Sequence, residues 1–189
     1  MNKKQLIVIS VLVFSMLVLA VSQGFFESNF HRINTTDKVV NQFKKYKLNT
    51  DECFISIPDG WIVDEEKSEG QYISYKLKFK SANEDITGII QVINTKEDVD
   101  VFANRDVRNQ LLKFSNLKIS PINNKDKNGI LSEYTTSIRN GNNYDNKCYY
   151  LSLNDNQILK MLFNIRNTCL NDDTNLVLED IISSLKDTN

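Results

Sequence analysis

Residues 72–80 read Tyr72-Ile73-Ser74-Tyr75-Lys76-Leu77-Lys78-Phe79-Lys80. Ile73, Tyr75, Leu77 and Phe79 fall on one side of a two-residue period, while Ser74, Lys76, Lys78 and Lys80 fall on the other. Only an extended chain separates them so cleanly, so this stretch is a strand with one buried and one wet face. The lysine row suits a solvated sheet face or a guard against edge pairing, with docking of an anionic partner as the sharper alternative. The next apolar segment, Ile86 to Ile93, carries Ile89-Ile90 and Val92-Ile93 and is apolar on both faces. It belongs in the middle of a sheet.

Working outward, Asp98 to Phe114 changes period. Val99, Ala103, Val107 and Leu111 recur every four residues, and Phe102, Leu112 and Phe114 widen the stripe, which predicts a helix. Ile119 to Asn128 is expected to be a loop and Ile130 to Ile138 a strand. Tyr149 to Leu153 and Ile158 to Arg166 are expected to form a hairpin around Asn154-Asp155-Asn156. Its matching apolar faces put Leu153 opposite Leu159, Leu151 opposite Met161 and Tyr149 opposite Phe163. Asp173-Thr174 then caps a closing helix with Val177, Leu178, Ile181, Ile182 and Leu185 turned inward. Upstream, Cys53 to Ile57 alternates as a strand, and Pro58-Asp59-Gly60 makes a turn because Pro presets φ and Gly accepts positive φ. Trp61, the only tryptophan, follows at once. It reads as a core anchor beside that turn, with a ligand platform as the alternative.

The N-terminus has a different character. Leu6 to Val21 holds no charge, no Gly and no Pro, and follows Lys3 and Lys4. A helix from Leu6 to Phe26 would reach about 31 Å, enough to cross a bilayer core. Residues 1–26 are thus expected to be a membrane anchor, or a signal peptide cut after Ala20-Val21-Ser22, in which case the protein is secreted. The flanking lysines leave the C-terminal body outside. Residues 27–50 are expected to be a stalk, with a short helix carrying Val39, Val40, Phe43 and Tyr46. Residues 51–187 form the folded domain, long enough for a real core.

The net charge is −1, and without Lys3 and Lys4 it is −3, from 21 basic against 24 acidic side chains. That balance argues against nucleic acid as a partner. Three cysteines, Cys53, Cys148 and Cys169, are an odd number without C-x-x-C spacing, so they build no disulfide framework. The hairpin register keeps Cys148 and Cys169 about 17 Å apart. Whether Cys53 pairs with either is open.

Chemistry is conspicuously missing from the sequence. G-x-S-x-G, H-E-x-x-H, the P-loop and G-x-G-x-x-G do not occur, and His31 is the only histidine. The paired acids Asp98/Asp100 and Asp172/Asp173 sit where helices begin and complement the helix dipole. Asn124-Lys125-Asp126-Lys127-Asn128-Gly129 matches half of a calcium loop, but its twelfth position is Thr135 rather than Glu and two lysines oppose a cation. A turn is the better reading. We therefore expect no catalytic, cofactor-binding or metal-binding residues, and the binding residues stay unassigned.

Strand, turn with Trp, antiparallel strands, helix, strand, hairpin and terminal helix follow in that order. With Phe54-x-Ile-x-Pro58-Asp-Gly60-Trp61 in front and Ile181-Ile-Ser-Ser-Leu185-Lys186 behind, the order resembles the PsbP-like family over about residues 51–187. The resemblance implies an α+β fold, an antiparallel sheet flanked by helices in an α/β/α sandwich, here behind an N-terminal transmembrane helix. Abundant Asn, Lys and Ile with 2 Pro and 6 Gly suit a bacterial chain, and the run Leu6 to Val21 makes it a membrane-anchored member. The family's role implies an accessory or binding module rather than an enzyme, and none of its functional residues carries over. The expectation is a membrane-tethered extracytoplasmic module for a protein or envelope component. The alternative is a small-ligand carrier with a pocket between sheet and helices.

Overall fold

The computed structural model describes residues 42–48, 53–66, 70–110, 113–124, 127–137 and 141–187. The run Leu6 to Val21 and His31 lie outside these residues. Among the described residues, no helix is long and apolar enough to cross a membrane.

From Phe43 onward the described residues form ten strands and two α-helices. In chain order they are β1 (Phe43–Lys47), β2 (Cys53–Pro58), β3 (Ile62–Glu66), β4 (Ile73–Lys80) and β5 (Ile86–Asn94), then helix α1 (Val99–Arg108). After it come β6 (Phe114–Asn124), β7 (Lys127–Ser137), β8 (Asn143–Asn154), β9 (Gln157–Arg166), helix α2 (Asp172–Ser183) and β10 (Lys186–Asp187). A seven-stranded sheet runs β3-β4-β5-β9-β8-β7-β6, and a three-stranded sheet runs β1-β2-β10. Every pairing is antiparallel. This is a mixed α+β fold.

The alternation in β4 holds: Tyr75, Leu77 and Phe79 are buried, while Lys76 and Lys80 are half-buried and Lys78 is exposed. A bulge between Ile73 and Tyr75 lets Ile73 face Ile93 and Tyr75 face Val92. β5 lies between β4 and β9, as its two apolar faces require. Gly88 of β5 sits directly opposite Phe79. A Cβ there would run into the Phe79 ring and the Leu162 carbonyl, so only glycine fits.

The two faces of the large sheet are covered differently. On one, Leu77, Phe79, Ile90, Leu159, Met161 and Phe163 share a core with Ile55 and Ile57 of β2 and Leu178 and Ile181 of α2. On the other, Phe102, Ala103 and Val107 of α1 pack onto Ile93, Cys148, Tyr150 and Ile158. Trp61 is half-buried against the first core, stacked on Phe79 with centroids 5.6 Å apart. Its backbone N–H donates to Pro58 O at 3.0 Å, closing the expected turn.

Several expectations need correcting. Phe43–Lys47, expected in a stalk helix, is a strand paired along β2, with Tyr46 opposite Ile55. Tyr46 and Leu48 are the buried positions, a spacing of two rather than three or four. The unit that holds these strands accordingly begins at Phe43. The helix expected to reach Phe114 ends at Arg108, and Phe114 opens β6 by packing on Tyr134 at 5.6 Å. The loop expected from Ile119 is mostly strand, because β6 continues to Asn124. Pro121 is tolerated there because β6 is an edge strand and needs no second row of donors. The β8–β9 hairpin is shifted by two residues: Leu151 faces Leu159, Tyr149 faces Met161 and Lys147 faces Phe163. Its turn is tighter than expected, with Asn154 paired to Gln157 and a bulge after Ser152 absorbing Leu153. Cys148 therefore faces Leu162. At α2 the cap is Asn171, whose Oδ1 accepts from Thr174 N at 2.8 Å, not Asp173-Thr174.

Candidate functional site

Helix α1 has ten residues and spans about 15 Å, too short to cover its face of a seven-stranded sheet. It covers β7 and β8 around Ile130, Cys148 and Tyr150 and reaches Ile158 of β9. The other end of that face is left as a cleft of about 620 Å³, open on its outer side to solvent.

Alternate residues of four neighbouring strands make the floor. Tyr134 and Thr136 come from β7, Tyr144 and Asn146 from β8, and Leu162 and Asn164 from β9. Thr87 of β5 adds to one side, Gln110 after α1 forms a wall, and Glu84 in the β4–β5 turn stands at the rim. Glu84 takes a left-handed conformation, φ 58°, within a turn fixed by Ser81 Oγ, which accepts from Ile86 N at 3.1 Å.

Asn146 is 3% exposed and organises the floor. Its Nδ2 lies 3.1 Å from Tyr134 O, 3.0 Å from Thr136 Oγ1 and 2.9 Å from Tyr144 O, so two protons serve three acceptors. Gln110 Nε2 donates to the Tyr134 hydroxyl at 2.9 Å. Burial pushes the Tyr134 phenol up to about 12, so its hydroxyl keeps its proton.

Every charge at the cleft has a partner inside the fold. Lys160 Nζ donates to Asp106 Oδ2 at 2.6 Å, and the Tyr150 hydroxyl donates to the same oxygen at 2.7 Å. Arg166 pairs with Asp85 at 2.8 Å. Glu84 pairs with Lys80, whose hydrogen bond holds the Glu84 carboxyl below its usual value. What the cleft offers a ligand is therefore mainly neutral: hydroxyls, amides and the apolar surface of Leu162 and the tyrosines.

Activation chemistry is weak here. Cys148 is fully buried under α1, and desolvation pushes its thiol up to about 12, so it holds no thiolate at neutral pH. The carboxylates Asp85, Glu84 and Asp106 each face a cation. Among the described residues no cluster of His, Cys, Asp and Glu could hold a metal ion.

The residues singled out from sequence lie elsewhere. Trp61 packs on the core face opposite the cleft. The lysine row is paired rather than bare: Lys76 meets Glu66 at 2.6 Å, Lys78 meets the other oxygen of Glu66, and Lys80 meets Glu84. The Lys76 hydrogen bond, then that of Lys78, holds the Glu66 carboxyl low. Asp100 and Asp172/Asp173 occupy first turns of helices, and Asp98 precedes α1 as its cap residue. Of the half-motif, Asn124 pairs with Lys127 between β6 and β7, while Lys125 and Asp126 lie outside the described residues. All three cysteines are thiols, Cys53 and Cys148 buried and Cys169 half-buried. The cleft residues themselves went unnoticed in the sequence. Their signal was the polar alternation Tyr134-x-Thr136 and Tyr144-x-Asn146, which looks like any solvated strand face.

No family model and no curated protein sequence matches this chain. Solved structures do match. The solution structure of cyanobacterial PsbP (CyanoP) from Synechocystis sp. PCC 6803 is 11% identical, with a TM-score of 0.55 over 77% of this chain and 92% of that one. The crystal structure of PA94, a protein of unknown function from Pseudomonas aeruginosa, is 14% identical over 79% of this chain and 99% of that one, with a TM-score of 0.47. At such identities the likeness speaks for architecture alone, and on the CyanoP match the fold of this chain is PsbP-like.

Proposed function

We propose that this chain is a non-catalytic accessory module held at the outer face of a membrane by Leu6 to Val21, binding a protein or envelope component through the cleft beside α1. The observation that carries the reading is the cleft itself. It has the volume of a ligand site, a floor of ordered polar side chains, and no nucleophile set against a base among the described residues. Its charges are consumed in internal pairs, which suits recognition better than proton transfer. The tether rests on the uncharged run behind Lys3 and Lys4. The small-ligand carrier remains the second reading, because about 620 Å³ falls within the range of small-molecule sites.

Two measurements test the proposal together. In cells stripped of their wall, added protease digests the domain, while alkaline carbonate leaves the full chain in the membrane. A photo-crosslinking amino acid at Tyr144 then gives an adduct that the same group at exposed Val101 does not. Protection from protease refutes the topology, release by carbonate refutes the anchor, and adducts indifferent to position refute the cleft as the binding site.

A further inference from the structure

We infer that the cleft beside α1 recognises a short neutral oligosaccharide. The inference rests on the reading of the cleft as a binding site and adds the chemistry of its occupant.

The argument begins with what the cleft has left to give. Lys160, Arg166 and Glu84 each have a counter-charge in the fold. An anionic ligand would compete with Asp106 and Asp85 for these cations, and a cationic one with Lys80 for Glu84. The neutral groups are in the opposite condition. Tyr134 Oη accepts from Gln110, and Thr136 Oγ1 accepts from Asn146, so each hydroxyl proton still points at no acceptor among the described residues. Asn146 and Gln110 use their amide nitrogens and keep their carbonyl oxygens. Asn164 does the same, its Nδ2 reaching Thr87 at 3.4 Å. Hydroxyl donors and amide acceptors therefore alternate over one surface. Their natural complement is a ligand whose every polar group both donates and accepts, namely a polyol.

Shape narrows the class further. Lys160 and Arg166 are six positions apart on β9, which is about 20 Å of strand, so the cleft is an elongated trough rather than a pit for one ring. An extended peptide would fit the length but not the surface. The floor is the face of a sheet whose backbone groups are spent in its own ladders, so a peptide backbone finds no strand edge to pair with. Leu162 and the half-buried ring of Tyr144 supply the apolar area on which the C–H faces of sugar rings lie.

The test is calorimetric titration of the full chain, in a detergent without a sugar head, with cellotetraose, maltotetraose and the N-acetylglucosamine tetramer. At least one binds saturably, and raising salt from low to high leaves its affinity unchanged within about twofold, because no ion pair is made or broken. Tyr144→Ala and Gln110→Ala each weaken it about tenfold or more. Unchanged melting temperatures show that the variants fold, and Thr136→Val gives a third, near-isosteric variant. Failure of all three sugars overturns the inference, as does binding indifferent to these substitutions or salt-sensitive binding of a sulfated oligosaccharide in their place. If the sugars fail while the Tyr144 crosslink still forms, the glycan assignment falls and the binding module stands. If both fail, the cleft has no binding role.

Discussion

Asp106→Ala is the substitution that asks most of this structure. Asp106 Oδ2 receives two hydrogen bonds, from Lys160 at 2.6 Å and from the Tyr150 hydroxyl at 2.7 Å, and so fastens α1 to β8 and β9. Tyr150 is 0% exposed, and the Lys160 side chain is 16% exposed. Removing the carboxylate orphans a buried hydroxyl, worth about 1–3 kcal/mol. It also leaves an ammonium without its counter-charge, which deep in a protein costs about 3–5 kcal/mol. Lys160 lies beside the open cleft and can turn its head toward water, so only a fraction of the second term applies. The two together predict a loss of about 2–4 kcal/mol. Tyr150→Phe removes one bond and leaves the ion pair, for about 1.5 kcal/mol. Lys160→Met in the Asp106→Ala background should cost about 1–2 kcal/mol less than in the natural protein, since the orphaned charge has gone. Urea unfolding followed by circular dichroism reads all four, with the denaturant slope unchanged. Asp106→Ala within about 0.5 kcal/mol of the natural protein, or strictly additive substitutions, would show that the triad is not coupled and refute the reasoning.

Three other outcomes follow from the same packing. Trp61→Ala strips a half-buried indole from Phe79 and should cost about 2–3 kcal/mol, while native Trp61 emission lies blue of the unfolded protein; coincident native and unfolded spectra would place the ring in water. Gly88→Ala forces a methyl into Phe79 and the Leu162 carbonyl and should lower stability by about 2 kcal/mol or more, read as a drop in melting temperature. In alkali, burial holds Cys148, Tyr134 and Tyr149 protonated up to about 12 in the folded protein, against usual values of 9 for the thiol and 10 for the phenols. The unfolded chain releases those protons first, so stability is full below pH 9 and is lost between about 9 and 12. Tyrosinate absorbance should then rise in two stages, exposed rings first and the buried ones together with unfolding; a single smooth rise with the fold intact would contradict the burial.

Legibility in the sequence tracked how asymmetric each element's surroundings are. β4 announced itself because one face is core and the other lysine, and β5 because apolar residues stand on both its sides, although only the side of Ile86, Ile90 and Val92 is fully buried. β6 gave no such contrast. As an edge strand it exposes Leu117 at 41% and Ile119 at 38%, so its apolar residues follow no buried face. β1 misled because Phe43 and Tyr46 stand three apart like helix neighbours, although Tyr46 and Leu48 do the burying. The hairpin register came out two residues wrong yet on the right face, since apolar matching fixes parity and the bulge after Ser152 fixes the count. The cleft was invisible for a different reason. Asn146 and Tyr144 alternate as any wet strand would, and what makes them a floor is how far α1 extends, a tertiary fact.

The bond between Ser56 N and Ser184 Oγ, 2.8 Å long, joins residues 128 positions apart. β5, too, waits for β9, with Asn94 meeting Gln157 and Ile86 meeting Ile165. The large sheet cannot close until β9 has been synthesised, nor the small one until β10 has, and pairings of such separation form slowly because loop closure precedes their reward. Until β9 emerges, β5 and β8 each keep an unpaired edge, so a chain that stops short of Gln157 presents two open strands to any neighbour.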